Sequence, residues 1–201
     1  MSDPIEFYFD FASPYAYLAS HRIDAVAARH GREVAWKPMM LGPVFKVAGT
    51  RPLTDYPLKG DYSRRDFART ARLLGVPFVL PEDFPFSTLT AARAFYWTEE
   101  NAPDKAKPLA RALFDACFAE GRNTGEAEVV GELAGAVGLD AGAVLAGARE
   151  PAIKERLKAV TTDAIENRGV FGAPFFFVDG EPFWGSDRLD QVDRWLATGG
   201  W

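Results

Sequence analysis

Residues 5–11 form an aromatic run, Ile5-Glu6-Phe7-Tyr8-Phe9-Asp10-Phe11, too short for a helix and bounded by Ala12-Ser13-Pro14, so a buried strand is expected there. Ser13 and Pro14 then open a helix. A serine hydroxyl accepts an otherwise unpaired backbone N–H, and a proline at the first helical position has no N–H to leave unpaired. Tyr15, Ala19, Ile23, Val26 and Ala27 recur at helical spacing until His30-Gly31, which predicts one helix before residues 33–37 resume an extended pattern. From 38 to 60, four prolines, several glycines and Lys46, Arg51 and Lys59 predict an irregular stretch with at most one short helical turn, a candidate active-site loop.

Apolar stripes at helical spacing dominate the middle of the chain. They predict helices over 62–74 and 89–99, around Leu109-Ala112-Leu113-Ala116-Cys117, over 129–137 and 141–148, and over 153–164, the last closed by Asn167-Arg168-Gly169. No fixed-period repeat emerges. Phe175-Phe176-Phe177-Val178 and Glu181-Pro182-Phe183-Trp184 flank Asp179-Gly180 as a hairpin. Gly185-Ser186-Asp187 offers capping groups for a last helix, whose apolar face is Leu189, Val192, Trp195 and Leu196. The predicted order is β-α-β, a long helical insert, then β-β-α: an α/β chain whose two ends complete one small sheet only if they pair in space.

The 201 residues are 48% hydrophobic and 25% charged, enough to bury a core without disulfide or metal staples. A net charge of -5 gives no global positive field, so neither nucleic acid nor an anionic membrane is an expected partner. Cys117 is the single cysteine, and with His21 and His30 it falls into no zinc-ligand spacing, so no metal is expected. The N-terminus has no basic region ahead of an apolar stretch, and no apolar run approaches about 18 residues. A soluble, cytoplasmic protein in a reducing compartment is the expectation.

Three junctions carry candidate chemistry. Ser13 sits where a strand gives way to a helix, beside unpaired N–H groups and the positive end of the helix dipole, a place that attracts an anion as well as an ordinary helix start. Pro174, after Gly172-Ala173, cannot donate to a sheet ladder and belongs at a strand start, bulge or edge; base rates favour a trans peptide there, with cis the alternative. Ser186 and Asp187 supply a carboxylate acceptor and hydroxyl at another helix start, where ordinary capping is the plain reading.

Taken in order, FDFASPYAYL, FGAPFFFVDG and FWGSDRLDQV resemble the 2-hydroxychromene-2-carboxylate isomerase family over nearly the whole chain. That family is related to kappa-class glutathione transferases and has a disulfide-oxidoreductase-like thioredoxin fold with a helical insertion. The resemblance implies a thioredoxin-like domain from 1–40 and 170–201, with the active-site loop and helical insertion at 41–169. It implies an enzyme that uses glutathione as an unconsumed cofactor in cis-trans isomerisation within aromatic-hydrocarbon catabolism. It also implies a homodimer and an aromatic carboxylate substrate. Where thioredoxin-type enzymes carry C-x-x-C, this chain has Ser13-Pro14-Tyr15-Ala16, which excludes dithiol exchange at that position. By resemblance, Ser13 is catalytic and hydrogen-bonds the glutathione sulfur, with Pro14 and Tyr15 beside it; Ala173 and Pro174 pair with the cysteinyl unit; Ser186 and Asp187 hold the γ-glutamyl end. Transient thiolate addition to a conjugated double bond would permit rotation before the thiolate leaves.

For the substrate, Lys46 and Arg51 are candidate counter-charges, and Tyr15, Phe45 and Phe86 are candidates to cover a ring, each against a plain reading of surface charge or packing. Thr50 and Ser87 stand where the family commonly has asparagine, Ser87 at the opening of the following helix; these departures allow a substrate other than the bicyclic hemiketal. A kappa-like glutathione S-transferase and a non-catalytic thioredoxin-fold binding module are the alternatives. Cys117, the two histidines and the five tryptophans are read as structural.

Overall fold

The aromatic run becomes strand β1 (Ile5–Phe9) in the computed structural model, which describes residues 3–201. The first two positions of the expected 1–40 segment lie outside the described residues. β1 stops two residues short of its apolar pattern because the Asp10 carboxylate accepts the Ala12 N–H at 2.9 Å, and the Ser13 N–H returns to the Asp10 carbonyl at 2.9 Å. The chain continues through α1 (Pro14–Ser20), α2 (Ile23–Arg29), β2 (Val34–Pro38), α3 (Leu41–Ala48), α4 (Lys59–Leu74), α5 (Leu89–Asn101) and α6 (Pro103–Phe118). It then forms α7 (Ala127–Ala136), α8 (Ala141–Gly147), α9 (Pro151–Glu166), β3 (Phe175–Val178), β4 (Glu181–Trp184) and α10 (Leu189–Thr198).

The four strands lie in the order β2-β1-β3-β4. β1 runs parallel to β2, with Phe7 opposite Trp36, and antiparallel to β3, with Phe7 opposite Phe176. The two chain ends therefore meet in one sheet, as the aromatic patterns at both ends require. All four strands come from 3–40 and 170–201, while 41–169 contributes α3 to α9. Alternation along β1 sends Phe7 and Phe9 to one face, where Phe9 meets Phe114 of α6 at 5.4 Å, so the helices of the insertion share a core with the sheet. Tyr8 faces the other way, with Phe175, Phe177, Val44 and Ala164. Each fully buried phenylalanine contributes about 1.5–3 kcal/mol.

Two expectations fail for identifiable reasons. The first helix is two helices, because the Ser20 hydroxyl donates to the Tyr17 carbonyl at 2.7 Å and the Arg22 N–H bonds Ala19 three residues back at 2.9 Å, tightening the turn out of α-helical register. The irregular stretch holds the eight-residue α3 and a 3₁₀ turn at Leu53–Asp55, rather than one short turn. Met40, at the start of α3, offers no side-chain cap; the Leu41 N–H is instead accepted by Asp10 at 2.8 Å, a partner 31 residues away. Among the described residues, no helix is long and apolar enough to cross a membrane.

Candidate active site

Ser13 behaves as its sequence context predicts, with its hydroxyl oxygen accepting the Ala16 N–H at 3.2 Å at the head of α1. That leaves the hydroxyl proton, which is donated to the Ala173 carbonyl at 3.3 Å. The usual O–H···O length is about 2.5–3.0 Å, so this second bond is weak and its proton is easily redirected to a nearer, charged acceptor. Ser13 is buried, in the wall between α1 and the turn that precedes β3.

The Ala173–Pro174 peptide is cis, against the base rate, and the Pro174 carbonyl accepts the Gly185 N–H at 3.0 Å. The Ala173 N–H has no hydrogen-bond partner among the described residues, so a backbone donor remains beside Ser13. A Cβ on Gly172 would lie 2.7 Å from the Trp184 indole nitrogen, so a larger residue there would displace that ring. Trp184 is 52% exposed and Trp201 is 66% exposed, yet each packs on another ring: Trp201 on Trp195 at 4.9 Å, and Trp184 edge-on to Phe171 at 4.8 Å beside the Ala173 turn.

Gly185-Ser186-Asp187 does not cap α10 with a side chain. Residues Ser186–Arg188 form a 3₁₀ turn with no side-chain cap, and α10 starts after it. Ser186 is buried in that turn, which packs against α1. Gly185 has φ 112, a conformation that favours glycine, and the Asp187 carboxylate lies over it; that side chain is 70% exposed and, among the described residues, its ion pair is with Arg188 at 3.0 Å. Ordinary capping therefore does not account for Ser186 or Asp187.

Tyr15 is half-buried, edge-on to Phe67 at 4.9 Å, and its hydroxyl donates to Asp66 of α4 at 2.5 Å. Burial, that hydrogen bond and the nearby charges of Asp66 and Asp187 push its phenol well above the usual tyrosine range, so Tyr15 stays protonated and its proton is already committed. Burial alone would raise the Asp66 carboxyl, but hydrogen bonds from Tyr15 and Arg69 hold it below the usual carboxylate range.

Sequence reasoning missed Asp10. Its buried carboxylate accepts three hydrogen bonds, from Ala12 N–H, from Leu41 N–H at 2.8 Å and from the Thr88 hydroxyl at 2.6 Å. One side chain thus ties the Ser13 turn to the starts of α3 and α5. Burial pushes its carboxyl above the usual range, against the pull of the Ala12, Thr88 and Leu41 bonds. A signal existed: a lone charge flanked by Phe9 and Phe11 in an otherwise apolar strand end must find partners if buried. Asp66 carried no such mark, because charged positions on α4 look alike in sequence.

The four expected substrate residues are all on the surface of the 41–169 segment. Lys46 is exposed in the last turn of α3; Thr50 is exposed, its N–H on the Phe45 carbonyl at 2.9 Å; Arg51 is exposed over the Tyr56 ring at 4.6 Å. Ser87 is exposed and does not open α5; Thr88 occupies that position and turns its hydroxyl to Asp10. No hydrogen bond or ion pair among the described residues joins these four to Ser13, Ala173 or Ser186. Cys117 is buried, and that burial pushes its thiol up to about 12, which leaves it inert.

A parallel-antiparallel sheet flanked by helices, with a helix start facing a cis-proline turn, is the frame of a thioredoxin-type site, and residues 4–197 match the model of the DSBA-like thioredoxin domain. The chain belongs to that family. A 2-hydroxychromene-2-carboxylate isomerase from Sphingobium xenophagum is 31% identical over 198 residues, covering 98% of this chain and 99% of the relative. A solved structure of a 2-hydroxychromene-2-carboxylate isomerase matches with a TM-score of 0.87 at 29% identity, covering 97% of this chain and 95% of that one. Glutathione S-transferase kappa 2 of Caenorhabditis elegans is 30% identical, covering 96% of this chain and 91% of its own length. Within the DSBA-like family, the chain thus falls with the 2-hydroxychromene-2-carboxylate isomerases, and the kappa-class transferases are more distant relatives.

Proposed function

We propose that this protein is a glutathione-dependent isomerase of 2-hydroxychromene-2-carboxylate or a similar aromatic carboxylate. The observation that carries the proposal is the Ser13 hydroxyl, placed at the helix start where a redox relative would hold its first cysteine, with a weakly committed proton. The surroundings fit the tripeptide. The Ala173 N–H lacks a partner and suits a peptide backbone laid alongside in strand fashion. The exposed Asp187 carboxylate suits an ammonium group, and buried Ser186 lies in the same turn. Glutathione, held by Ser13, Ala173, Ser186 and Asp187, would supply a thiolate nucleophile for reversible addition to a conjugated double bond, the chemistry that permits rotation.

The chain's own residues then have separate tasks. Ser13 turns its proton from the Ala173 carbonyl to the sulfur and keeps that sulfur ionised, helped by the positive end of α1. Tyr15, held protonated by Asp66, presents a fixed ring and hydroxyl beside it. On this reading the unit at 1–40 and 170–201 holds the tripeptide, while 41–169 covers the substrate, with Lys46 and Arg51 available for its carboxylate and Thr50 and Ser87 shaping selectivity.

The test is the rate of hydroxychromene carboxylate isomerisation with and without glutathione. Full dependence on glutathione, with the tripeptide recovered intact, is expected. An undiminished rate after its complete removal refutes the proposal, and a stable covalent conjugate would favour the transferase reading instead.

A further inference from the structure

A cavity of about 190 Å³ opens between α3, α5 and α9, and it lies apart from the site already described: none of Ser13, Tyr15, Ala173, Ser186 and Asp187 lines it, nor do Lys46, Thr50, Arg51 or Ser87. Its apolar wall includes Met40, Leu89 and Leu157, and three cations reach it, Arg93, Lys154 and Lys158. Among the described residues no carboxylate lines it. Arg93 is partly buried, and its Nε is shielded from solvent without any hydrogen-bond partner. Among the described residues, neither Arg93 nor Lys154 takes part in an ion pair, and Lys158 meets only Glu155 at 3.5 Å, with the two side chains 71% and 69% exposed.

A shielded guanidinium N–H without an acceptor is costly, and three like charges around one hollow repel one another. A bound anion relieves the repulsion among the three cations. The apolar wall disfavours a hydrated inorganic ion, and a cavity of about 150 Å³ is already large enough for benzene, so this one has room for a single ring. A guanidinium fork matches a planar carboxylate, two N–H donors to two oxygens, and the apolar wall suits a ring attached to it. We propose that this cavity is a second ligand site, for a small apolar monocarboxylate of one-ring size, its carboxylate on Arg93 with Lys154 and Lys158 and its ring against Met40, Leu89 and Leu157.

The experiment titrates the full chain, without glutathione, with benzoate, with benzyl alcohol as the uncharged analogue, and with acetate as the charge without the ring, following binding calorimetrically. Saturable one-to-one binding of benzoate is expected, with each analogue weaker by about tenfold or more, the loss of one charge-assisted contact or of one buried ring. Arg93→Gln should weaken benzoate by a similar factor. Should that variant not fold, the surface double variant Lys154→Gln/Lys158→Gln should weaken benzoate in the same direction. Ser13→Ala should leave benzoate binding unchanged, and Arg93→Gln should leave glutathione binding unchanged, so failure here and failure of the glutathione reading are seen separately. Benzoate affinity that survives the substitutions at 93, 154 and 158, acetate that binds as well as benzoate, or loss of benzoate binding in Ser13→Ala would each overturn the proposal.

Discussion

Replacing Ser13 by glycine removes the hydroxyl while sparing the helix start, since glycine at an N-cap costs only a few tenths of a kcal/mol where alanine costs about 0.5–2 kcal/mol. A free thiol titrates near about 8.5, and bringing it down by roughly two units, so that thiolate dominates at neutral pH, takes about 2.7 kcal/mol. A helix start offers about 0.3–2 kcal/mol and a hydrogen bond to a charged group about 1.5–3 kcal/mol, so both are needed. Losing the hydroxyl alone therefore returns roughly one to two units. At pH 7 the ionised fraction of bound glutathione falls from about three-quarters to between about a quarter and 3%, a rate loss of roughly three- to twenty-five-fold. The loss must close as pH rises, because the variant's thiol ionises on its own above about pH 9, and a more basic thiolate is if anything the better nucleophile. Isomerisation rates against pH at saturating glutathione measure this, and the ultraviolet absorbance of the bound thiolate reports the same titration directly. An apparent pKa identical in wild type and Ser13→Gly, or a rate gap that persists unchanged at alkaline pH, would refute the role given to the hydroxyl.

Asp10→Ala removes the acceptor of the part-buried Ala12 and Leu41 N–H groups and of the buried Thr88 hydroxyl, three bonds of about 0.5–2 kcal/mol each, so urea unfolding should show a loss of roughly 2–6 kcal/mol; an unchanged midpoint would refute the tie between the Ser13 turn and α3. Gly147→Ala should lower Tm although alanine is the better helix former by about 1 kcal/mol, because its Cβ would lie 2.0 Å from the rigid Trp97 ring and overpacking costs about 1–3 kcal/mol; a raised Tm would count against this packing. Acid should destabilise the fold in a defined window. Asp179, hydrogen-bonded by Arg32, and Asp193, hydrogen-bonded by His30 and Arg29, titrate below their unfolded value, as does Asp66. Their contribution is complete above the unfolded value, about 3.9, and is lost as pH falls through the lowered folded values, each exposed pair adding little by itself. Asp10, raised by burial, works in the opposite sense and loses stability as pH climbs through its folded value. Stability that rises monotonically as pH drops from 5 to 2 would contradict the ion pairs.

Elements with a strong local signature were legible. The hairpin around Asp179-Gly180 shows as two short β runs about a turn that tolerates positive φ, and Asp179 and Gly180 indeed have φ 52 and φ 90. The apolar stripe through Leu109, Leu113 and Cys117 is buried along α6. Ser13-Pro14 announced α1 and its cap. The break between α1 and α2 was not legible, because it turns on whether the Ser20 hydroxyl bonds back to Tyr17 or faces solvent, and a serine in a helix permits both.

The sequence alone determined the four strands and most of the helices, that the two ends share one aromatic composition suited to a common sheet, and that the first helix begins on a hydroxyl rather than a thiol. Tertiary structure decided everything that depends on partners far apart in the chain. The Ser13 hydroxyl reaches Ala173 across 160 residues, the Asp10 carboxylate reaches Thr88 across 78, and Tyr15 reaches Asp66 across 51. Periodicity and capping report only on neighbours within a turn or two, whereas a buried polar group must be satisfied by whichever donor the packed core brings to it.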